Sequence, residues 1–183
     1  MIKLLYTGSQ PKCGLQQQDS SRSLGGFVSD SPVTNDFLSN LFSDLSMSSV
    51  DSNLAEFKAI AAQNNSGVTK TNVKLWMEVD VNDFCDYQIA VVEIGKDNCD
   101  CDFMESISNS NAAPFYAEFH TADSGSKLNI GSVLSQAYFG VWIKRKLKDT
   151  INSVPVKDYF CSTEYLKSTK VDVQKVKLHI SWD

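Results

Sequence analysis

The two histidines, His120 and His179, are the side chains of this chain best suited to general acid–base catalysis. A catalytic histidine needs a nucleophile within hydrogen-bond reach and a further group that orients its ring. Neither histidine has a serine or a cysteine at a spacing that indicates a nucleophile, and His179 alternates with apolar residues near the end of the sequence. We interpret both as solvated side chains, and the sequence predicts no catalytic residue.

Cysteines and carboxylates, which are common metal ligands, cluster in residues 97–102, Asp-Asn-Cys-Asp-Cys-Asp. Cys99 and Cys101 are too close together for a zinc knuckle, and no second Cys or His pair in the sequence matches them. The cluster also lacks the glycine and glutamate that complete a calcium-binding loop. We therefore expect an acidic loop without a metal, and no cofactor.

Charge and composition narrow the class of protein further. The chain has 17 basic and 22 acidic residues and a net charge of −5, which argues against a protein that coats nucleic acid. No apolar run approaches the roughly 20 residues that span a bilayer. The 5 cysteines are an odd number and no secretion signal precedes them. We therefore predict reduced thiols and synthesis in a cytoplasm.

The sequence divides into two regions that differ in composition and in the pattern of apolar residues. Residues 1–50 are predicted to form an extended N-terminal arm, because residues 7–35 consist mainly of Ser, Gly, Gln, Pro and Asp. A short strand over 2–6 opens the arm, and a short helix over about 36–46 ends it, because apolar residues there recur on one helical face. That face needs a partner, which is either the rest of the chain or another subunit.

Residues 51–183 are predicted to form a β module. Apolar residues alternate with polar ones, or form short β-rich runs, in turn-separated segments: 54–63, 71–79, 87–94, 114–119, 138–147 and 175–182. The first of these also fits a helical stripe, but the Asn-Asn-Ser-Gly that follows is hairpin or loop chemistry. The predicted fold is mainly β, an immunoglobulin-like antiparallel β-sandwich with an insertion at about 149–170.

A series of short motifs runs in order through residues 2–147. The first group is Leu5-Tyr6-Thr7-Gly8, Ser23-Leu24-Gly25-Gly26-Phe27-Val28-Ser29, Pro32-Val33 and Leu38-Ser39-Asn40-Leu41-Phe42-Ser43. The second is Phe57-Lys58-Ala59-Ile60, Asn64-Asn65-Ser66, Thr71-Asn72-Val73-Lys74-Leu75-Trp76, Ile89-Ala90-Val91, Ala113-Pro114-Phe115, Ile130-Gly131 and Gly140-Val141-Trp142-Ile143-Lys144-Arg145. The first group resembles an opening of structural proteins in crAss-like tailed bacteriophages. The second resembles a β-sandwich module of phage particle proteins.

This resemblance implies a non-enzymatic virion structural subunit, present in many copies. Such a subunit would assemble into a ring in the neck or tail region by exchanging arms with its neighbours. The expected partners are copies of itself and other virion proteins of the portal and tail or of the capsid. We expect synthesis in the cytoplasm of the bacterial host, a final location in the virion, no membrane span and no direct nucleic-acid binding. The predicted assembly interface consists of apolar residues of the arm: Leu24, Phe27, Val28, Phe37, Leu41 and Phe42.

Two other functions stay open at this point. A capsid auxiliary, or decoration, protein would share the fold and differ in its location in the particle. A carbohydrate-binding adhesion module would need exposed aromatic rings on which a sugar can stack. The residues that alternation leaves available for that role are Trp76, Trp142 and Tyr138.

Overall fold

The computed structural model describes residues 1–9, 19–33, 41–42, 54–79, 85–147 and 176–183. In these ranges the chain is mainly β, as predicted. The strands are β1 (Ile2–Gly8), β2 (Gly25–Pro32), β3 (Glu56–Asn64), β4 (Lys70–Val79), β5 (Cys85–Glu93), β6 (Gly95–Lys96), β7 (Asp102–Ser106), β8 (Leu128–Val133), β9 (Tyr138–Leu147) and β10 (Val176–Ser181). A single 3-10 turn, Ser20–Arg22, precedes β2.

The strands form two antiparallel sheets. The larger sheet has seven strands in the order β5-β9-β3-β1-β2-β7-β6, and the smaller has three in the order β10-β4-β8. Apolar side chains of both sheets share one cluster, so the two sheets pack face to face as a sandwich. The two-sheet antiparallel fold is therefore confirmed, whereas the finer immunoglobulin-like assignment stays a prediction.

The main core lies between the sheets, on what we call the inner face of the seven-stranded sheet. On β9, Val141 and Ile143 enter this core, and on β4 Val73, Leu75 and Met77 meet them from the other sheet. All five are at most 5% exposed. Fully burying one such side chain contributes about 1.5–3 kcal/mol, so the alternation that brings these positions to one face also drives the packing.

The opposite side of the seven-stranded sheet, its outer face, carries a second and smaller apolar cluster. Trp142 of β9 lies directly across from Ala59 on β3 and Ala90 on β5. The two small side chains leave room for the indole, which is 0% exposed. Residues 107–120, called here the covering segment, close this cluster with three apolar side chains: Ile107, Ala117 and Phe119.

The strand predicted over residues 114–119 is wrong, because these residues belong to the irregular covering segment. Its backbone joins the sheet at one isolated bridge, between His120 and Ile89 of β5. Ala117 and Phe119 pack on the outer face, whereas Phe115, Tyr116 and Glu118 are exposed. A segment laid over a sheet can therefore show a strand-like alternation without making a strand ladder.

The other predicted strands are confirmed, with ends that shift by a few residues. The choice of a strand over a helix for residues 54–63 is confirmed by β3, which pairs with β1 on one side and β9 on the other. The final strand is confirmed by β10, which pairs with β4. The insertion predicted at about 149–170 lies outside the described residues.

The described part of the predicted arm is built into the body of the chain. Strand β1 lies between β3 and β2 in the seven-stranded sheet, and β2 pairs with both β1 and β7. Residues 2–8 and 25–32 are therefore strands of the larger sheet, which agrees with the strand predicted over 2–6, and the extended N-terminal arm stays a prediction. Residues 10–18, 34–40 and 43–53 lie outside the described residues, and the predicted helix falls mostly among them. Leu41 and Phe42 are described, and they form a turn.

Two glycines explain how so polar a stretch enters a sheet. Gly25 and Gly26 have φ values of +79° and +88°, in the left-handed region that favours glycine. A Cβ on Gly25 would lie 1.9 Å from the carbonyl oxygen of Glu105, and one on Gly26 would lie 2.4 Å from that of Gly8. The close approach that paired glycines allow is thus made to β7 and β1 of the same chain.

Buried hydroxyls fix this segment further. Thr7 and Ser23 are both 0% exposed. The Ser23 Oγ accepts a hydrogen bond from the Thr7 backbone N–H at 3.0 Å and donates to the Ala59 carbonyl oxygen at 2.5 Å. The Thr7 Oγ1 accepts from the Gly25 backbone N–H at 3.1 Å. Each bond satisfies a polar group that would otherwise be buried at a cost, so small polar residues act here as core residues.

Candidate assembly surface

The residues with potential for catalysis lie apart and serve structural roles. His120 forms the backbone bridge to β5, at one edge of the seven-stranded sheet. His179 lies on β10, where its ring stacks on Trp76 with centroids 5.0 Å apart and its Nε2 lies 2.7 Å from Glu78 Oε2. Neither contact presents a nucleophile to the imidazole. Across the described ranges, no group of three or more His, Cys, Asp or Glu residues could hold a metal ion.

The acidic loop uses its polar groups internally. The Asp97 Oδ1 accepts the backbone N–H groups of Cys99 at 3.0 Å and Cys101 at 2.7 Å. Asp102 pairs with the Lys96 amine at 3.0 Å, and this contact raises the pKa of Lys96 because it stabilises the charged amine. The loop is therefore a closed turn whose carboxylates hold its own backbone and side chains.

The prediction of reduced thiols is wrong for Cys101, which is disulfide-bonded. An odd number of cysteines leaves this possible, because one pair can form while other thiols stay reduced. Cys99, two residues away, is an exposed free thiol.

The predicted assembly residues divide into two groups. Leu41 and Phe42 are 0% and 8% exposed and belong to the core between the sheets, so their partner is the chain's own β module. Leu24, Phe27 and Val28 lie half-buried in or next to β2. The Phe27 ring packs edge-on against Phe103 of β7, with ring centroids 5.1 Å apart. Phe37 lies outside the described residues.

The contacts of Phe42 lead to a buried polar cluster at the edge of the inner face. The Arg145 guanidinium lies over the Phe42 ring at 4.6 Å and forms an ion pair with Glu56. Burial raises the pKa of the neighbouring Tyr87 to about 12. Burial also lowers the pKa of Lys58, whose Nζ donates to the Ser21 carbonyl oxygen at 2.7 Å. These groups satisfy one another inside the fold, so the cluster holds the molecule together and is not a surface for binding.

The aromatic residues proposed as a sugar platform are mostly covered. Trp142 is fully buried, so its prediction as an exposed platform is wrong; the covering segment closes the face on which it lies. Trp76 is half-buried, with the His179 ring stacked on it and the Lys127 Nζ 4.1 Å from its centroid. The hydroxyl of the half-buried Tyr138 accepts a hydrogen bond from Gln63 at 2.9 Å.

Among the described residues, the most exposed aromatic side chains lie instead at the turn of the covering segment. Phe115 and Tyr116 are 83% and 79% exposed, and their rings meet edge to face with centroids 4.9 Å apart. The Glu105 carboxylate accepts the backbone N–H of Phe115 at 2.5 Å and that of Tyr116 at 3.0 Å. We call Phe115 and Tyr116 the aromatic tip. Its backbone is held in place by a dedicated carboxylate, while its two rings project into solvent.

Further contacts fix the covering segment to the sheet. The Phe57 backbone N–H donates to the Ser110 carbonyl oxygen at 2.6 Å, and the Asn111 side chain donates to the Ala55 carbonyl oxygen at 3.1 Å. The Phe119 ring packs against Phe57 with centroids 5.4 Å apart. The tip is therefore presented by a segment attached at both its ends.

A second exposed apolar surface lies where β3 ends. Asn64, fully buried, donates through its side-chain amide to the carbonyl oxygens of Val68 and Leu134. The side chains of these two residues are exposed, as is Trp182, which lies 5.3 Å from the Lys70 Nζ. We call Val68, Leu134 and Trp182 the far-end patch. The buried amide of Asn64 thus connects two loops, and an apolar side chain of each loop is exposed to solvent.

Sequence reasoning missed both surfaces. The alternation around Phe115 predicted a strand, in which that side chain would face inward with Ala117 and Phe119. The signal that it overlooked is Pro114, which lacks a backbone N–H and is poorly suited to a sheet ladder. The far-end patch had no sequence signal, because single apolar residues in turns are common on protein surfaces.

Comparisons with protein-family models, with curated proteins and with solved structures found no match to this chain. None of the described residues forms a helix long and apolar enough to cross a membrane.

Proposed function

We propose that this chain is a non-enzymatic structural subunit of a tailed-bacteriophage virion, made in the bacterial host and present in many copies. The proposed location is a ring in the neck or tail region, with copies of itself and other virion proteins as partners. A structural subunit works through shape and surface, and it needs neither a cofactor nor a reactive centre.

The observation that carries this proposal is the aromatic tip. Two large aromatic side chains at 83% and 79% exposure have no packing role within the described fold beyond their contact with each other. Pre-ordered aromatic residues dominate the energetics of many protein interfaces, since burying them costs little conformational entropy. The Glu105 hydrogen bonds order the backbone of the tip, and the edge-to-face contact of the two rings orders the side chains, before any partner binds.

The resembling motifs support the phage assignment through the roles that they serve. Thr7 and Ser23 form the buried hydroxyl network, and Gly25 and Gly26 allow β2 to pass close to its neighbours. Arm exchange through β2 is no longer part of the proposal, because β2 pairs on both sides within its own chain.

A capsid decoration protein is the second candidate, and the aromatic tip favours it to the same degree. A decoration protein also needs a compact body and an exposed contact surface. The distinction is one of location, so imaging of particles separates the two. A carbohydrate-binding module has less support, since Trp142 is buried and Trp76 is covered by His179 and Lys127.

The test is mass spectrometry of purified virions of the phage that encodes the chain, followed by cryo-electron microscopy of the particles. We expect the protein in every particle at a fixed multiple, with its two-sheet density arranged as a ring at the neck or tail. Density over the capsid surface would assign the decoration role. Absence from purified particles, with abundant protein in infected cells, would refute a structural role in the virion.

Two variants test whether the aromatic tip is needed for incorporation into particles. The double substitution Phe115→Ser with Tyr116→Ser removes the tip, and Val79→Ser removes an exposed apolar side chain of the smaller sheet, at 42% exposure, as a matched control. We expect the tip variant to fold normally and to be lost from particles by tenfold or more, and the control to be incorporated as wild type. Equal incorporation of both variants would show that the tip is not the assembly contact.

A further inference from the structure

We propose that copies of this chain join head to tail, with the aromatic tip of one copy packed against the far-end patch of the next. This inference rests on the assembling role proposed above and names the contact that would carry it. The occupant of each surface is therefore a second copy of the chain, and each copy contributes a different surface to the contact.

The register of the large sheet places the two surfaces at opposite ends of the sandwich. Ile2 pairs with Asn64, so the start of β1 lies at the end of β3 that holds the far-end patch. At the other end of β1, Gly8 pairs with Phe27, and two residues before Phe27, Gly25 pairs with Ser106 at the end of β7. Glu105, which holds the tip, therefore lies at the end of the sheet away from Asn64.

The exposed apolar side chains follow the same division. Met1 adjoins the far-end patch through the pairing of Ile2 with Asn64, and it is 72% exposed. Leu54 lies at the tip end, next to Ala55, whose carbonyl oxygen binds Asn111 of the covering segment. The tip is a projecting pair of rings, whereas the far-end patch is formed from two neighbouring turns and a ring beside them. Surfaces that differ in this way suit a heterologous contact, which forms rings when the rotation between copies closes.

The edges of the seven-stranded sheet favour end-to-end over side-by-side association. On the β5 edge, the N–H and C=O of Ile89 already pair with His120, at 2.9 Å and 2.8 Å. On the opposite edge, β6 has two residues, and its Lys96 forms the ion pair with Asp102. Short or charged edges and edges covered by a loop are the ways in which proteins prevent strand-to-strand association.

Two charged side chains near these surfaces are opposite in sign, Glu118 near the tip and Lys70 beside Trp182 at the far end. Glu118, two residues after the tip, has a side chain that is 88% exposed. Lys70 lies beside Trp182 at the far end, where the Asp183 carboxylate is bound by the Asn72 side chain at 2.9 Å. An exposed pair of this kind contributes little affinity, but it favours one orientation of approach over others.

The test uses two variants of the purified full chain that each lose one surface. Phe115→Asp with Tyr116→Asp destroys the tip, and Val68→Asp with Leu134→Asp destroys the far-end patch. All four side chains are at least 60% exposed, so both variants should fold, which circular dichroism and unfolding in urea would verify. Analytical ultracentrifugation and native mass spectrometry would measure self-association at concentrations up to about 1 mM, which detects contacts as weak as roughly −4 kcal/mol.

Head-to-tail association makes a specific prediction for the mixture. Wild type should form oligomers, each variant alone should be monomeric, and an equal mixture of the two should form heterodimers that grow no further. Only one intact pair of surfaces remains in that mixture. Dimers of the far-end variant alone would indicate a tip-to-tip contact and overturn the proposal. A monomeric mixture, or monomeric wild type at the highest concentration, would overturn it as well.

The charge pair gives a second measurement that does not depend on removing apolar groups. Glu118→Lys should weaken the association several-fold, and adding Lys70→Glu should restore it. Equal effects of the single and the double substitutions would contradict the orientation proposed here. Failure of these experiments is distinct from failure of the virion proposal: monomeric protein that is found in virions rejects the contact, and oligomers absent from virions reject the location.

Discussion

The two faces of the seven-stranded sheet are buried in different ways. The inner face is covered by a second sheet, in which β4 pairs with β10 in unbroken register and with β8 in a ladder interrupted by register shifts, and which contributes large apolar side chains. The outer face is covered by residues 107–120, whose backbone contributes the His120 bridge and a few single hydrogen bonds. The second sheet is thus held by strand ladders and a shared core, whereas the covering segment is held by hydrogen bonds at a few separate residues.

This difference predicts a gradient of stability across the molecule. Segments with few buried apolar contacts and few ladder bonds open at a lower free energy than the core strands. The covering segment meets that description, and it carries the aromatic tip. The surface proposed for assembly is therefore on the layer that can open without unfolding the sandwich.

The largest expected effect comes from shortening one side chain on each face. Ile143→Ala on the inner face removes a side chain that is 0% exposed, and we expect it to lower the free energy of unfolding by about 2–5 kcal/mol. Phe119→Ala on the outer face removes a half-buried ring, and we expect a loss of about 1–2 kcal/mol. Urea unfolding monitored by circular dichroism measures both.

The comparison would fail if the outer variant lost as much stability as the inner one. A matched control is Leu134→Ala, at a side chain that is 65% exposed and outside both clusters. Its free energy of unfolding should stay within about 0.5 kcal/mol of wild type.

The partly buried Tyr87 on the inner face makes the stability of the protein sensitive to alkaline pH. Burial raises the pKa of Tyr87 from 10.0 to about 12, so the unfolded state loses this proton first as pH rises. Its contribution to stability is complete below pH 10 and is lost as pH rises through 12, by about 2–3 kcal/mol in all. Unfolding in urea at a series of pH values measures this loss.

Tyr87→Phe is the comparison variant for this measurement. It should abolish that part of the alkaline loss, because the phenyl ring has no proton to release. The lowered pKa of Lys58 acts in the opposite sense, since the folded state holds the lysine proton less tightly, and it remains in both proteins. An identical pH dependence of wild type and variant would exclude Tyr87 as the source.

The smallest expected effect is local to the tip. Glu105→Gln keeps the side-chain shape but removes the charge and replaces one of the two accepting oxygens by an NH2 group, which cannot accept the backbone N–H of Phe115 or Tyr116. We expect a loss of about 0.5–1.5 kcal/mol in global stability. The amide protons of the tip should exchange with solvent several-fold faster, while those of β3 and β9 keep their protection.

Hydrogen exchange by NMR distinguishes this local effect from a general one. Glu93→Gln, at an exposed carboxylate with no hydrogen bond in the described fold, is the matched control and should leave tip exchange unchanged. Uniformly faster exchange across the sheet in Glu105→Gln would mean that the covering segment and the sandwich open together.

Much of the sandwich was predictable from the sequence because its strands have one clearly apolar face. In β4, the alternation of Val73, Leu75 and Met77 with polar residues matches the burial of each position. In β3 the pattern was ambiguous, since Ala59, Ala61 and Ala62 fit a helix as well. The Asn-Asn-Ser-Gly sequence decided correctly for a strand, because Asn64 ends β3 and residues 65–69 form the loop that leads to β4.

The strand β2 and the covering segment could not be predicted, for opposite reasons. In β2 the buried positions are filled by Gly25, Gly26, Ser29 and Ser31, whose small size matters because neighbouring backbones approach closely. Composition alone assigns such residues to loops. In the covering segment, Phe119 packs against strands that are distant in the sequence. The local alternation of apolar residues therefore predicted a strand that does not form. The burial of Leu41 and Phe42 in the chain's own core likewise depends on contacts with residues distant in the sequence, which a local pattern cannot predict.

The buried indole of Trp142 gives the molecule an internal optical reporter. Its Nε1–H is buried and has no hydrogen-bond partner within the described structure, so its excited state sees an apolar and rigid environment. Emission from this ring should be blue-shifted and shielded from a soluble quencher such as iodide. Any event that lifts the covering segment would admit water to the ring, so a shift of its emission to longer wavelength would follow that movement in real time.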